Sequence, residues 1–351
     1  NNLRARLLSL KFRAIRRAVI ILIAKIPKDL ERAITFGDAL NHFLMISPFR
    51  PLFKFSIPKN IKVNVHDLTF DSPIISASFK DDVSSLFQWQ LIGIGGITYK
   101  TVLKMPSKGN LRPRIQEVSH DGNYAILNSL GLPTKGVVKF LPQINNKKLT
   151  KFNRPIGISI GGNSFEEYLS VFSDIDHHLN TIDFSQFFYE INISCPNTDD
   201  GKCLSDDLES LKNLIIKFRD ISSRMIVVKV SPDSTNEEVL KVCEILSNLS
   251  KTAINIGNTK YVKASDVGLS SKTFSKEGGG LSGKSLYANT LRMVKLVASN
   301  YDLPIIATGG VSSYGNVREL LDNGASLTGM ATLLVSDPFQ IPLINYRLSN
   351  D

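Results

Sequence analysis

Beyond about residue 60 the chain alternates short apolar runs with longer polar or amphipathic stretches. The first four runs are "PIISAS" (73–78), "LIGIGGIT" (91–98), "PIGISIG" (155–161) and "FFYEINIS" (187–194). The other four are "MIVVKVS" (225–231), "TAINIG" (252–257), "LPIIATGG" (303–310) and "SLTGMATLL" (326–334). Helical patterns such as "LESLKNLIIKFRDI" and "NEEVLKVCEIL" lie between several of them. Ahead of the first run, "IKVNVHDLTF" alternates around a polar turn and predicts a hairpin that plugs a barrel floor. Eight strand-and-helix units predict an α/β fold, a (β/α)8 TIM barrel over residues 61–351. A doubly wound sheet is the alternative, but no G-x-G-x-x-G opens a helix after a first strand.

Composition narrows the class. The 351 residues are 42% apolar, enough for a large buried core. Three cysteines, Cys195, Cys203 and Cys243, are too few for a disulfide framework and suit a reducing compartment. None forms a C-x-x-C pair, so no metal site is expected. The formal charge is +10, and it is unevenly spread. Residues 1–34 hold nine Arg or Lys against Asp29 and Glu31. The apolar run Ala18–Ala24 is too short to span a bilayer. Residues 1–60 therefore read as an N-terminal helical extension. Its basic, apolar-faced helix fits either a membrane surface or packing on the body of the protein.

In such barrels the chemistry sits where the strands end. Ala77 and Ser78 close the first run, and Thr98 to Thr101, with Lys100, close the second. Ser159, Asn192, Cys195, Asn197, Lys229, Asn255, Asn258 and Thr259 follow. Thr308, Gly309 and Gly310, then Ala331 and Thr332, end the last two runs. The set is rich in amides and lysines and poor in carboxylates. That disfavours glycoside hydrolysis, which needs paired acids. It favours an anionic, planar substrate held by many hydrogen bonds. The glycines after the last two strands leave backbone N–H groups open to a phosphate.

These residues carry a resemblance. "EINISCPNT" resembles the signature of the dihydroorotate dehydrogenase family. "GIGGITYKT", "LNSLGLP", "GISIGG", "VKVSPD", "GGLSG", "IIATGG" and "GASLTGMATLL" resemble its other motifs, in its order, from about Val63 onward. The resemblance implies a barrel that binds FMN and oxidises dihydroorotate to orotate in pyrimidine biosynthesis. It implies Cys195 as the base that removes the C5 proton. Asn128, Asn192, Asn197, Asn258 and Thr259 match orotate-binding positions, and Leu130, Gly131 and Leu132 match the loop over the ring. Lys100 matches a lysine near substrate and flavin. Ala77, Ser78, Lys100, Thr101, Ser159, Asn192, Lys229, Gly283, Thr308, Gly309, Gly310, Ala331 and Thr332 match the FMN contacts. Lys229 matches the lysine at the flavin N1 and O2 edge.

The resemblance is mixed. Cys195, Lys100 and "LNSLGLP" are like the soluble class 1 enzymes, whereas "KDLERAITF" and the long N-terminus are like the membrane-linked class 2 enzymes. Phe79 stands where the family has a glycine close to FMN, and Lys80 competes with Lys100 for one role. The extension favours a quinone acceptor and peripheral membrane contact, on the cytoplasmic side. A soluble, fumarate-linked enzyme is the alternative. Two rivals remain: another FMN-linked pyrimidine oxidoreductase, and a non-catalytic, membrane-associated binding protein. No nucleic-acid partner is expected.

Overall fold

The computed structural model describes residues 2–24, 29–193 and 207–351. Eight parallel strands form its centre. In chain order they are Ile74–Ser76, Ile97–Val102, Ile156–Ile160, Phe187–Asn192, Ile226–Val230, Thr252–Ile256, Ile305–Thr308 and Leu327–Met330. From the second strand onward each pairs with the next in sequence, and the last pairs with the first. A bridge between Ile75 and Gly96 closes the ring, with Ser76 N–H donating to Gly96 O at 3.2 Å. This is the expected TIM barrel, and helices precede it at the N-terminus.

Seven of the apolar runs contain their strand. The second differs. Leu91 and Ile92 end the helix Val83–Ile92, and the strand starts only at Ile97. Gly93 caps that helix at φ +106°, a left-handed conformation that stops it. A Cβ on Gly96 would lie 2.9 Å from the Phe70 ring, so the glycines serve a tight turn rather than a strand.

The predicted hairpin is present, pairing Val63–Val65 with Leu68–Phe70. Val65, Leu68 and Phe70 pack with Ile75, Phe188, Val227, Ala253, Ile306 and Leu327. The N-terminal end of the barrel is thereby filled with apolar side chains. Polar chemistry is left to the other end.

Over that other end lies a four-stranded antiparallel sheet that the apolar pattern did not reveal. Its order is Lys260–Lys263, Gly278–Gly283, Asn123–Asn128, Ile115–His120. Glycine-rich stretches have poor strand propensity, which hides them from pattern reading. Here the glycines permit close approach: a Cβ on Gly278 would run into Tyr261 and one on Gly279 into Asn128 O.

Two N-terminal helices, α1 (Asn2–Val19) and α2 (Leu30–Ile46), complete the chain. A π-helical turn, Ile20–Ala24, follows α1, and Asp29 caps α2. Helix α1 packs beside Gln340–Leu348, with Ser9 Oγ donating to Asp337 at 2.6 Å and Phe12 edge-on to Phe339. Helix α2 packs on Val83–Ile92 through Met45, Phe87 and Leu91. Cys243 is fully buried on Asn236–Ser247, and burial pushes its thiol up to about 12, so it is chemically inert.

Candidate active site

The mouth of the barrel is built on one buried carboxylate. Strand side chains alternate, so Glu190 shares the inward face of its strand with Asn192. Glu190 is only 2% exposed. Ser78 Oγ donates to it at 2.5 Å and Asn255 Nδ2 at 2.7 Å. Lys229 Nζ lies 3.9 Å from the same carboxylate and donates to Ser78 Oγ at 3.3 Å. A buried charge is tolerated only when paired and hydrogen-bonded, and these three groups do both. A second network sits beside it. Asn192 Nδ2 donates to Thr101 Oγ1 at 3.2 Å, and Thr101 meets Ser159 Oγ at 3.0 Å. Ser78, Thr101, Ser159, Asn192 and Lys229 therefore come together as the strand-end pattern implies.

The next two strand ends make the glycine cradle. Thr308 pairs with Gly329, which sets Gly309 and Gly310 beside Ala331 and Thr332. Ala77 N–H donates to Met330 O at 2.9 Å and brings the first strand end alongside. Gly309 and Gly310 have φ +131° and +71°, values that L side chains rarely adopt. Gly283, at φ +146°, lies on the covering sheet against Tyr124 O.

That sheet also carries the expected substrate groups. Asn128 Nδ2 donates to Gly280 O at 3.1 Å, and a Cβ on Gly280 would collide with Thr259. Asn128 and Thr259 thus flank one glycine. Asn258 Oδ1 accepts from Thr259 N–H at 2.9 Å and shapes the end of its strand. Leu130, Gly131 and Leu132 form the loop after Asn128, with Gly131 and Leu132 at φ +67° and +48°. Cys195 and Asn197, the expected base and its neighbour, lie outside the described residues, as does Cys203.

The two competing lysines have different fates. Lys80 Nζ is 2.6 Å from Asp38 on α2, so its charge is committed. Lys100 has no ion pair or side-chain hydrogen bond among the described residues. Burial holds its ammonium below the ordinary lysine value, and the cations of Arg114 and Lys80 add to this against Asp81. Phe79 packs at a tilt against Trp89 with ring centres 5.1 Å apart. Its ring is used in packing the barrel.

A family model described as dihydroorotate dehydrogenase matches residues 60–350. The chain belongs to the dihydroorotate dehydrogenase family. It is an FMN-dependent oxidoreductase that oxidises dihydroorotate to orotate in pyrimidine biosynthesis. Among curated relatives, dihydroorotate dehydrogenase B (NAD(+)), catalytic subunit, of Malacoplasma penetrans is 28% identical over 284 residues, 80% of this chain and 88% of its own. The protein of the same description from Fusobacterium nucleatum is 29% identical over 289 residues, 82% and 91% of the two chains. The crystal structure of a dihydroorotate dehydrogenase from Eimeria tenella in complex with ferulenol superposes with a TM-score of 0.71 at 19% identity. It covers 90% of this chain and 89% of its own, and so shares the fold.

The mouth fits FMN. Asn255 Oδ1 and Thr308 Oγ1 are buried without partners among the described residues, which a polar planar group at the strand ends would supply. Lys229 provides a cation, and the Gly309–Gly310 backbone is open to a phosphate. Gly310→Val is expected to lower flavin content severalfold and to cost about 1–3 kcal/mol, because φ is left-handed and a Cβ would meet Tyr287 N. Flavin absorbance per protein and a thermal melt measure both effects. Full flavin in that variant would remove the cradle from the site.

Glu190 and the covering sheet are what the strand-end reading missed; Asn255 stood among its polar strand ends but not among the residues that the resemblance assigns to the site. Glu190 had a signal: it extends the alternation of Asn192 backwards by one inward position.

Proposed function

We propose that this dihydroorotate dehydrogenase hands its electrons to a membrane quinone, met through the N-terminal helices from the cytoplasmic side. The exposed face of those helices carries the reading. On α1, Leu3, Leu7 and Leu10 fall on one stripe, opposite the packed Ala5, Ser9 and Phe12. Leu3 is 72% exposed. On α2, Phe36, Leu40, Phe43 and Ile46 do the same, with Phe43 60% exposed. Fully burying such a side chain is worth about 1.5–3 kcal/mol, so leaving so many in water calls for an apolar partner. Exposed Arg6 and Arg17 suit anionic head groups. No described helix is long and apolar enough to cross a membrane, and the exposed stripes suit a peripheral contact.

A second reading has its own support. The relatives above are described as NAD(+)-linked, and the family match begins only at residue 60. Their acceptor chemistry, or fumarate, is the alternative. Phe36→Gln with Phe43→Gln tests the choice without removing helices that hold the barrel. Quinone turnover and liposome binding are expected to fall together about tenfold, while dihydroorotate still reduces the flavin at the normal rate. An intact protein that ignores liposomes and turns over NAD or fumarate but no quinone would overturn the proposal.

In the substrate half-reaction FMN supplies the hydride acceptor. The chain's own share is binding and proton removal. Asn128, Asn192 and Asn258 each offer a donor and an acceptor to the substrate's amide and carboxylate edges. Lys100 supplies the uncommitted cation for the carboxylate. Since its proton affinity is lowered, that cation is lost as pH rises, below the ordinary value of 10.5. Affinity for dihydroorotate is therefore expected to weaken towards alkaline pH. Lys100→Met should bind weakly at every pH and lose this dependence. A Michaelis constant measured across the range would show it, and an unchanged profile in the variant would exclude Lys100 from the role.

A further inference from the structure

We infer that Glu31 is a positioning residue for dihydroorotate: helix α2 sets the substrate loop through a Glu31–Arg114 pair. The inference rests on reading Leu130–Leu132 as the loop over the substrate. Arg114 Nε and Nη2 donate to the two Glu31 oxygens at 3.0 and 2.9 Å, a bidentate fork. Its Nη1 donates to three carbonyls, Lys108 at 2.6 Å, Asn110 at 2.8 Å and Leu130 at 3.3 Å. The guanidinium is thus the hub joining the extension to the loop. The two loops are zipped further by Asn110 N–H to Leu130 O at 3.0 Å and Asn110 Nδ2 to Ser129 O at 2.8 Å. Gly109 leaves room for the junction, since a Cβ there would run into Leu130 O.

The pair is placed where it matters. Its side chains are only 18% and 10% exposed, so water is a poor substitute for either partner. Arg112 also reaches Glu31, at 3.1 Å, and Asp29, at 2.7 Å. Lys100 lies close enough to feel the charges of Arg114 and Glu31. Without Glu31, the Arg114 charge would face Lys100 with two donors unpaired. Gly131 and Leu132 follow directly, both in the left-handed region. Leu132 has no intrinsic preference for that conformation, so surrounding contacts must hold it. Loosening the hub releases the backbone beside the substrate while leaving the Glu190–Lys229 centre untouched.

The test uses the full-length flavoprotein and anaerobic flavin reduction by dihydroorotate. Glu31→Gln is expected to raise the half-saturating dihydroorotate concentration about tenfold, the worth of one charge-assisted contact. The limiting reduction rate and the flavin content should stay within about twofold. Glu31→Asp, which keeps the charge on a shorter arm, should fall between and serves if the glutamine variant does not fold. Arg114→Gln combined with Glu31→Gln should be no worse than the poorer single variant, because the two act as a unit. Unchanged affinity in both Glu31 variants overturns the inference. So does a loss of flavin or limiting rate in proportion to affinity, which marks a merely structural role. Asn128→Ala is the control for the site itself. If it weakens dihydroorotate binding while the Glu31 variants do not, only the inference fails. If it has no effect either, the reading of the substrate loop fails.

Discussion

Replacing Cys195 by alanine is expected to leave a yellow protein whose flavin is reduced by dihydroorotate about 10²–10⁴-fold more slowly. The substrate must lose a proton from C5 as hydride leaves C6, and the family resemblance gives that proton to Cys195. No other thiol can stand in from the described part of the chain: Cys243 is buried and its proton affinity is raised. Cys195→Ser should keep some activity, weighted to high pH, because a hydroxyl is a much weaker acid than a thiol. Rapid-mixing reduction of the bound flavin across pH separates these variants. An alanine variant that reduces its flavin at the normal rate would take the base away from Cys195.

Lys229→Met is expected to cost about 3–5 kcal/mol and to strip most of the flavin. The change leaves Glu190 in the barrel with only Ser78 and Asn255 as donors and no opposing charge. Removing one partner of a buried pair is costly because the other cannot return to water. Adding Glu190→Gln to Lys229→Met should recover much of the stability, since no charge is then left alone. It should not restore flavin, because the cation is still missing. Denaturant melts and flavin absorbance on the two variants check both halves. A Lys229→Met protein with normal stability and flavin would show that the pair does not hold the mouth.

How far the sequence reached depended on the kind of signal. Period-two alternation and apolar runs bounded by glycine are local, and they placed the floor hairpin and seven of the strands. The run at Leu91–Thr98 failed because its apolar residues serve two elements, a helix end and a strand start. The glycine-rich strand Gly278–Gly283 was invisible to the apolar pattern because Leu281 is the one large apolar side chain in it, too few to show an alternation. It exists because Asn123–Asn128 pairs with it from about 150 residues away. Nor could the competition between Lys80 and Lys100 be settled locally, since Asp38 lies 42 residues before Lys80.

By itself the sequence determined the barrel, the polar strand ends and the family, because each is written in residues that are close along the chain or in motifs kept in order. Only the tertiary structure decided which of those polar groups share a charge. Glu190, Lys229 and Asn255 sit on three different strands and Ser78 just beyond the end of a fourth, and Glu31 meets Arg114 across 83 residues. Such pairings depend on strand register and on which helix covers which loop, and buried electrostatics is set by distance in space rather than along the chain.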